Sequence, residues 1–531
     1  MAEETVVFAR KASGLVREMN WWDVLLITIA GPAASGMTYY TVRIPGLYPG
    51  GNVVLGFLLG GLLWMFPVML IAIYASSFPR SGAMYVVISR ATHPLLGFMP
   101  NWLWILSSGF SVGFLNYLML NLISSGLQVG GVMADSKGMT DAGNYMAGTG
   151  TRLWISILVT IVMWGFELLG MSRLKWFIRI IVYVPLVVTI ISLVLFIVLD
   201  GQSHWNTVFG SGVAAKITAA AQAQGIGDAT VSMWSGTKSM FLYVWWAYTA
   251  LEAISFVGSE VKTPRTSFMR GMGIGFFAVV TLYVVNAWLP AVSFGSGFIR
   301  DYGWLFANHN DVLQEAMGGV TPPIPSIPLF SGVLGGSAWL VMVLSIGYIF
   351  WYINTSIIIW MASVRGVFAM AFDRQIPIGL CKVSKGGVPT TATHFVGVFA
   401  LIGCFIGWQN EFGAAGAAAM VAILDYTGMF FIWVVGLAGL FLPFTRPDLY
   451  EKTTFQYKWG SVPVISVLGG VVLLCGYYMV MVLGLEFIND YAQWGMGLLI
   501  TLGFVTVAWM YNTNRKEGID PNMIYSQIPP A

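Results

Sequence analysis

Apolar windows about twenty residues long recur from one end of this chain to the other, with almost no charge inside them. Of 531 residues, 57% are hydrophobic and 9% are charged, and the mean hydropathy is +0.76. A soluble domain carries about a quarter charged residues, whereas about twenty apolar residues in helical form cross a bilayer core. In hydrocarbon every backbone N–H and C=O must find an internal partner, which favours helices. The windows predict an all-α membrane protein with twelve transmembrane helices, at roughly 22–46, 51–77, 97–125, 153–171, 176–199, 238–259, 271–293, 330–362, 391–408, 414–442, 462–486 and 490–511. The long third window leaves room for helix that protrudes into water.

Charge placement gives the orientation. With the N-terminus in the cytoplasm, twenty of the 26 Lys and Arg residues fall on the inner side and six (Arg43, Lys137, Arg152, Lys216, Lys238, Arg300) on the outer side. That bias is the positive-inside rule, and it puts both termini, 1–21 and 512–531, in the cytoplasm. Residues 1–20 lack the apolar run of a signal peptide. The outer stretches 126–152, 200–237 and 294–329, the last with the Pro-rich Thr321–Pro328, read as surface caps or a lid.

Several functional classes are disfavoured. Cys381, Cys404 and Cys475 show neither metal-ligand nor disulfide spacing. His93, His204, His309 and His394 fall in loops or at span ends, away from where haem ligands would sit. The basic residues are spread among inner loops, without a nucleic-acid signature, and no phosphate-binding loop is present. Neither a nucleophile–base pair nor a His/Cys cluster points to an intramembrane enzyme, so no catalytic residue, metal or cofactor is expected.

Two spans depart from plain helix. The sixth carries Glu252 near its centre and ends in the basic, Pro-containing Glu260-Val-Lys262-Thr-Pro264-Arg265. A carboxyl group in hydrocarbon costs several kcal/mol, so it persists mainly where it meets a cavity or a partner. Glu252 is either protonated and bonded to a neighbouring helix or part of a helix lining a solute pathway. The first span supports the second reading, for Gly31-Pro32 and Ser35-Gly36 fall close together near mid-span. Proline removes a donor and clashes with the preceding turn, so the segment is expected to unwind; a simple kink is the alternative. Paired interruptions, one opening each half of a chain, point to an inverted-repeat transporter site. Asp425, mid-way along the tenth span, is a candidate for carrying a proton, recognising a cationic group or bonding to a neighbouring helix. Glu167, near the inner end of the fourth, is expected to pair with loop cations. Ser111 and Asn116 of the third span are candidate solute contacts or packing polar groups.

Four stretches, in order and at matching topological positions, carry a resemblance to the amino acid–polyamine–organocation permeases. They are Gly14-Leu-Val-Arg17-Glu18-Met-Asn-Trp-Trp-Asp23 leading to Ala34-Ser35-Gly36; Phe78-Pro79-Arg80-Ser81-Gly82-Ala83-Met84-Tyr85; Tyr248-Thr-Ala250-Leu-Glu252 through Glu260–Pro264; and Ser363-Val-Arg365 through Asp373-Arg-Gln-Ile-Pro377. The resemblance implies two inverted five-helix repeats of LeuT type (22–199, spans 1–5; 238–442, spans 6–10) separated by the outer loop 200–237, plus two helices in 443–511. It implies a secondary-active carrier of amino acids or related amines working by alternating access in the plasma membrane. By the same token a substrate carboxylate meets backbone N–H groups at Ala34, Ser35 and Gly36. Its ammonium meets carbonyls among Ala30, Gly31, Trp246, Ala247 and Thr249, beside Tyr248. Trp246 is the counterpart of an aromatic gate, or else an ordinary packed indole.

Departures from the family pattern bear on mechanism. Ala34 and Ala250 stand where glycine is common, which leaves open a reshaped pocket or a weaker break in the sixth span. The fifth span has no lysine to replace a sodium ion. Asn354, Thr355 and Ser356 of the eighth span fall where sodium-coupled members of the wider superfamily place oxygen ligands, although helix hydroxyls also bond back to carbonyls. H+ and Na+ are therefore both coupling candidates. A polyamine or cationic-amine carrier is the rival, favoured if Asp425 and Glu252 both face the cavity as charges. A transporter-like sensor or accessory subunit is the rival from another class. The expected partners are a small amino acid or amine and the lipid bilayer, with no nucleic acid; the oligomeric state is open.

Overall fold

A computed structural model describes residues 14–409, 414–483, 489–519 and 521–529. Arg10 and Lys11, used above for orientation, and positions 484–486 of the eleventh window lie outside the described residues. Among those described, ten continuous helices are long and apolar enough to cross a membrane: Val53–Ser77, Pro94–Met133, Thr149–Glu167, Met171–Val198, Pro264–Phe294, Ala338–Phe372, Thr390–Gln409, Ala419–Thr445, Val464–Val482 and Asp490–Lys516. They fall on ten of the expected windows. The two windows without a continuous helix are the first and the sixth, the two singled out by their sequences. The ordinal numbers of the windows are kept below, and the membrane face rich in Arg and Lys is called the basic face.

Local chemistry sets the helix ends. Asn20 and Asp23 form a reciprocal capping box at Trp21, the Asn52 side chain accepts from Leu55 N–H at 3.0 Å, and Pro94 occupies the first turn of the third span, where a missing N–H costs nothing. That span turns at Met119 and continues to Met133, longer than the window 97–125 suggested. The eighth span begins later than expected, at Ala338. A separate helix, Ile327–Leu334, precedes it and is cut off at Gly335-Gly336, where Gly336 has φ +61°.

The loops opposite the basic face are helical caps rather than open coil. Trp205 of Gly201–Phe209 is fully buried among Phe294, Phe298, Tyr302 and Phe330, with ring centroids 5.2–6.2 Å away. On the basic face a short C-terminal segment is held by arginines: Arg80 donates to the Pro529 carbonyl (2.8 Å) and Arg90 to that of Gln527 (3.1 Å).

The core packs through small residues, as membrane helices do for want of a hydrophobic drive between them. The third and ninth spans meet at Gly113 and Gly403. A Cβ at Gly403 would sit 1.9 Å from the Phe110 carbonyl oxygen, and one at Gly113 equally close to that of Ala400. Gly403→Val is expected to force these backbones apart and lower the thermal unfolding midpoint in detergent, at a cost of at least about 2 kcal/mol. Wild-type melting would refute this reading of the contact.

Candidate functional site

The first span is helical over Trp21–Ala30, bends at Gly31-Pro32 and resumes at Ala33. Five residues of wider π-helix, Gly36–Tyr40, follow before Thr41–Leu47. The sixth stops at Tyr248, and only 3-10 turns at Ala253–Phe256 and Gly258–Glu260 follow. Its break pivots on Ala250, whose φ is +77°. An L-residue pays roughly 1–2 kcal/mol for that conformation, so alanine in place of the usual glycine strains the break without weakening it. The two interruptions touch, since a Cβ at Gly31 would lie 2.8 Å from the Ala250 carbonyl oxygen.

Backbone groups released by the breaks find specific partners. The Tyr283 hydroxyl, from the seventh span, reaches the Pro32 carbonyl and, at 2.6 Å, that of Ala247. One hydroxyl proton thus serves two carbonyls, one from each broken span. The Thr355 hydroxyl donates to the Ala30 carbonyl at 3.1 Å, and Thr249 caps its own helix by donating to Trp246 O at 2.6 Å. The Pro32, Ala247 and Ala30 carbonyls each keep a second lone pair, whereas that of Trp246 also accepts from Thr249 N–H at 3.1 Å. Because the resumed helix begins at Ala33, its leading N–H groups have no acceptor one turn back.

A cavity sits between the breaks, with ≈ 50 Å³ open to the centres of water molecules. At about 10–15 Å³ per water centre this is room for a few waters or a small polar head. Of the residues expected at a site, Gly31, Ala34, Ser35, Ser111, Trp246, Ala247, Thr249, Ala250 and Thr355 line it. Tyr40 packs edge-on against Trp246 with ring centroids 5.1 Å apart, and Phe114 lies 6.4 Å from it. These rings separate the cavity from a second one lined by Ser35, Tyr39, Tyr40, Arg43 and Tyr243.

The other expected residues lie behind the wall. Ala30 meets the site through its carbonyl. A Cβ at Gly36 would lie 2.5 Å from the Tyr283 ring, so a side chain there tests packing rather than solute contact. Tyr248 donates to the Phe57 carbonyl at 2.8 Å, Asn116 to Thr160 at 2.9 Å and Asn354 to the Ile181 carbonyl at 3.1 Å. Ser356 is buried without a hydroxyl partner. Glu252 accepts from Trp104 Nε1 at 2.7 Å, and it is Trp104 that faces the cavity. Asp425 is fully buried with neither oxygen bonded, beside the cavity-lining Leu424.

Sequence reasoning missed Tyr283, Trp104, Ser107, Ser108, Leu115, Ile359 and Leu424. Ser107 was within reach, because it lies four residues before Ser111 and so on the same helix face; its hydroxyl is 3.0 Å from that of Thr427. Nothing local in the sequence marks Tyr283.

Ion pairs close the basic side. Met19 bridges Val261, Arg179 grips Asp23 at 2.5 and 2.8 Å, and Lys175 meets Glu18 at 2.5 Å. That contact holds the Glu18 carboxyl below its ordinary range. Deeper in, Arg365 binds both oxygens of Glu260 (2.8 and 3.3 Å) and Arg90 binds Asp373 (2.5 Å). Glu167 departs from expectation. Among the described residues it pairs with no loop cation, since its carboxyl is buried at 2% exposure and neither oxygen has a hydrogen-bond partner there.

Two helices interrupted around a common cavity, within a bundle of membrane-length helices, define a multi-pass secondary transporter of the discontinuous-helix type. The amino acid permease family model matches residues 19–528, and the chain belongs to that family. It is 23% identical over 496 residues to a branched-chain amino acid permease of Bacillus subtilis (strain 168), covering 92% of each chain. A methylthioribose transporter of the same organism is 21% identical, covering 94% of this chain and 95% of the relative. A serine/threonine exchanger is 22% identical, covering 93% and 97%.

Ala250→Gly is expected to relieve the left-handed strain and stabilise the protein by about 1 kcal/mol in thermal unfolding; destabilisation would mean that the methyl group contributes packing. Tyr283→Phe removes the shared donor at a cost of about 1–3 kcal/mol. A lowered melting point together with impaired uptake is the expected outcome, and unchanged values of both would show that the carbonyls are served otherwise.

Proposed function

We propose that this permease carries a neutral amino acid with an aliphatic side chain across the plasma membrane by alternating access. The observation that carries this reading is the cavity wall: among the described residues it holds no charged side chain. The carboxylate is placed at the leading N–H groups of Ala34 and Ser35, favoured by the positive end of the helix dipole. The ammonium is placed at the free lone pairs of the Ala30 and Ala247 carbonyls. The remainder of the wall, with Leu115, Ile359 and Leu424 beside Trp104 and Trp246, suits an apolar side chain. The branched-chain permease relative agrees with that choice. The cationic-amine rival was favoured if Glu252 and Asp425 both faced the cavity as charges; Trp104 stands in front of the first, and neither lines the wall.

In this reading the basic face is cytoplasmic, as are both termini, and spans 1–5 and 6–10 form the two inverted repeats. H+ and Na+ remain the coupling candidates. Thr355 and the Ala30 carbonyl offer two of the several oxygens a sodium ion would need, whereas Glu252 and Asp425 offer protonatable carboxyls.

Uptake into proteoliposomes of labelled isoleucine, serine, arginine, putrescine and methylthioribose, under separately imposed proton and sodium gradients, tests the proposal. Isoleucine is expected to accumulate and arginine to be excluded; preferential arginine or putrescine uptake would sink it. Trp246→Ala is expected to reduce isoleucine uptake roughly 10–100-fold, because the solute loses its closing wall, while Trp246→Phe retains most of it. Equal uptake by the alanine variant would remove Trp246 from the gate.

A further inference from the structure

Glu167, the last residue of its helix, is used by nothing described so far. Its carboxyl is 2% exposed and unpartnered, a state that is costly when ionised and mild when protonated. Its surroundings explain why it is tolerated. Three residues earlier, Trp164 packs against Trp360 of the eighth span, with centroids 6.1 Å apart. The fourth and eighth spans run in the same sense toward the basic face, so Glu167 lies ~4.5 Å beyond that contact and Arg365 ~7.5 Å beyond it, at 1.5 Å per residue. Arg365 and Glu167 are therefore within electrostatic reach of each other while making no hydrogen bond.

Other charged groups around this helix are accounted for, and Lys382 and Lys385 of the loop that passes Gly170 at Gly386 and Val388 are exposed. The third span has none within Pro94–Leu118. The ninth contributes His394, whose Nδ1 accepts from Trp164 Nε1 at 3.1 Å. The short helix Lys137–Ala147, with Lys137 and Asp141, packs at the far end. In the following helix Lys175 is committed to Glu18 and Arg173 is exposed. Glu260 also acts on Glu167 electrostatically, and it is the current partner of Arg365.

Glu260 lies at the exit of the broken sixth span, whereas Arg365 and Glu167 lie on continuous helices. Opening of the cavity toward the basic face, as alternating access requires, draws the sixth-span exit away and would strand Arg365 as a buried lone cation. Losing one partner of a buried pair is strongly destabilising, because the remaining charge is left buried and uncompensated. We infer that Glu167 is a proton-binding site and the alternate partner of Arg365. With the gate closed, Glu167 is neutral and Arg365 holds Glu260. On opening, Glu167 gives its proton to water at the basic face and takes over Arg365, while Glu260 passes into solvent. Charge balances, with one proton released per opening, so a higher pH on that face favours the open state.

The inference rests on the alternating access proposed above but not on the substrate class, so its test uses no substrate. Cys381, Cys404 and Cys475 are replaced by alanine, Ser108→Cys reports from the cavity, and a membrane-impermeant methanethiosulfonate is applied to the basic face of reconstituted protein. Labelling, corrected for the reporter's own thiolate fraction as measured on the unfolded protein, is expected to speed up as pH on that face rises from about 6 to 8. Glu167→Gln should abolish that pH dependence and slow labelling at least roughly tenfold, with the melting point preserved because the amide matches the neutral acid in shape. In an Arg365→Gln/Glu260→Gln background the same substitution should have no effect, since no cation remains to be handed over. Wild-type rates in Glu167→Gln, or an equal effect in both backgrounds, would overturn the assignment. A reporter that never labels would overturn alternating access along with it, whereas failure of the uptake panel alone would leave this switch standing.

Discussion

Backbone that leaves a helix inside a membrane has no water to turn to, and this structure is organised around that shortage. Two spans break at the same depth, and the groups they release are met by Tyr283 and Thr355 from continuous helices. A phenol shared between Pro32 and Ala247 couples the broken spans through one proton. Such partners satisfy the carbonyls without saturating them, and the unused lone pairs are what a solute ammonium can use. The same economy that keeps the break tolerable leaves acceptors open there, and the proposed solute site rests on them.

Charge is handled by a division of labour. The cavity wall is neutral among the described residues, and toward the basic face Arg365–Glu260 and Arg179–Asp23 join the broken spans to continuous helices, while Arg90–Asp373 ties the loop after the second span to the end of the eighth. Buried pairs of this kind add little net stability, because desolvation offsets attraction. They do hold a particular arrangement, and one that can be exchanged for another. Motifs that read as family markers in the sequence (the stretch ending at Asp23, Glu260 before Pro264, Arg365 after Ser363) turn out to be the members of these pairs.

Several readings needed three dimensions. Ala250 suggested a weaker break, yet its positive φ shows the chain bearing the strain instead. Gly36 looked like open backbone for a ligand, and it is also where a side chain would run into the Tyr283 ring. Glu252 read as a pathway residue, and an indole stands between it and the space it was meant to line. In each case the residue was conspicuous for a real physical reason, while its neighbour across the bundle decided what that reason was.

The sequence by itself determined the solvent, the helical class, the places where helix must fail and the bias of charge between faces. These follow from hydropathy, proline sterics and the cost of ionised groups in hydrocarbon, all of them properties of a residue and its chain neighbours. Only the tertiary structure decided which side chains complete the broken backbone, that the cavity wall is neutral, and that Glu167 is without a partner. Those outcomes depend on contacts between residues hundreds of positions apart, such as Tyr283 with Pro32, and no local pattern encodes which helices will meet.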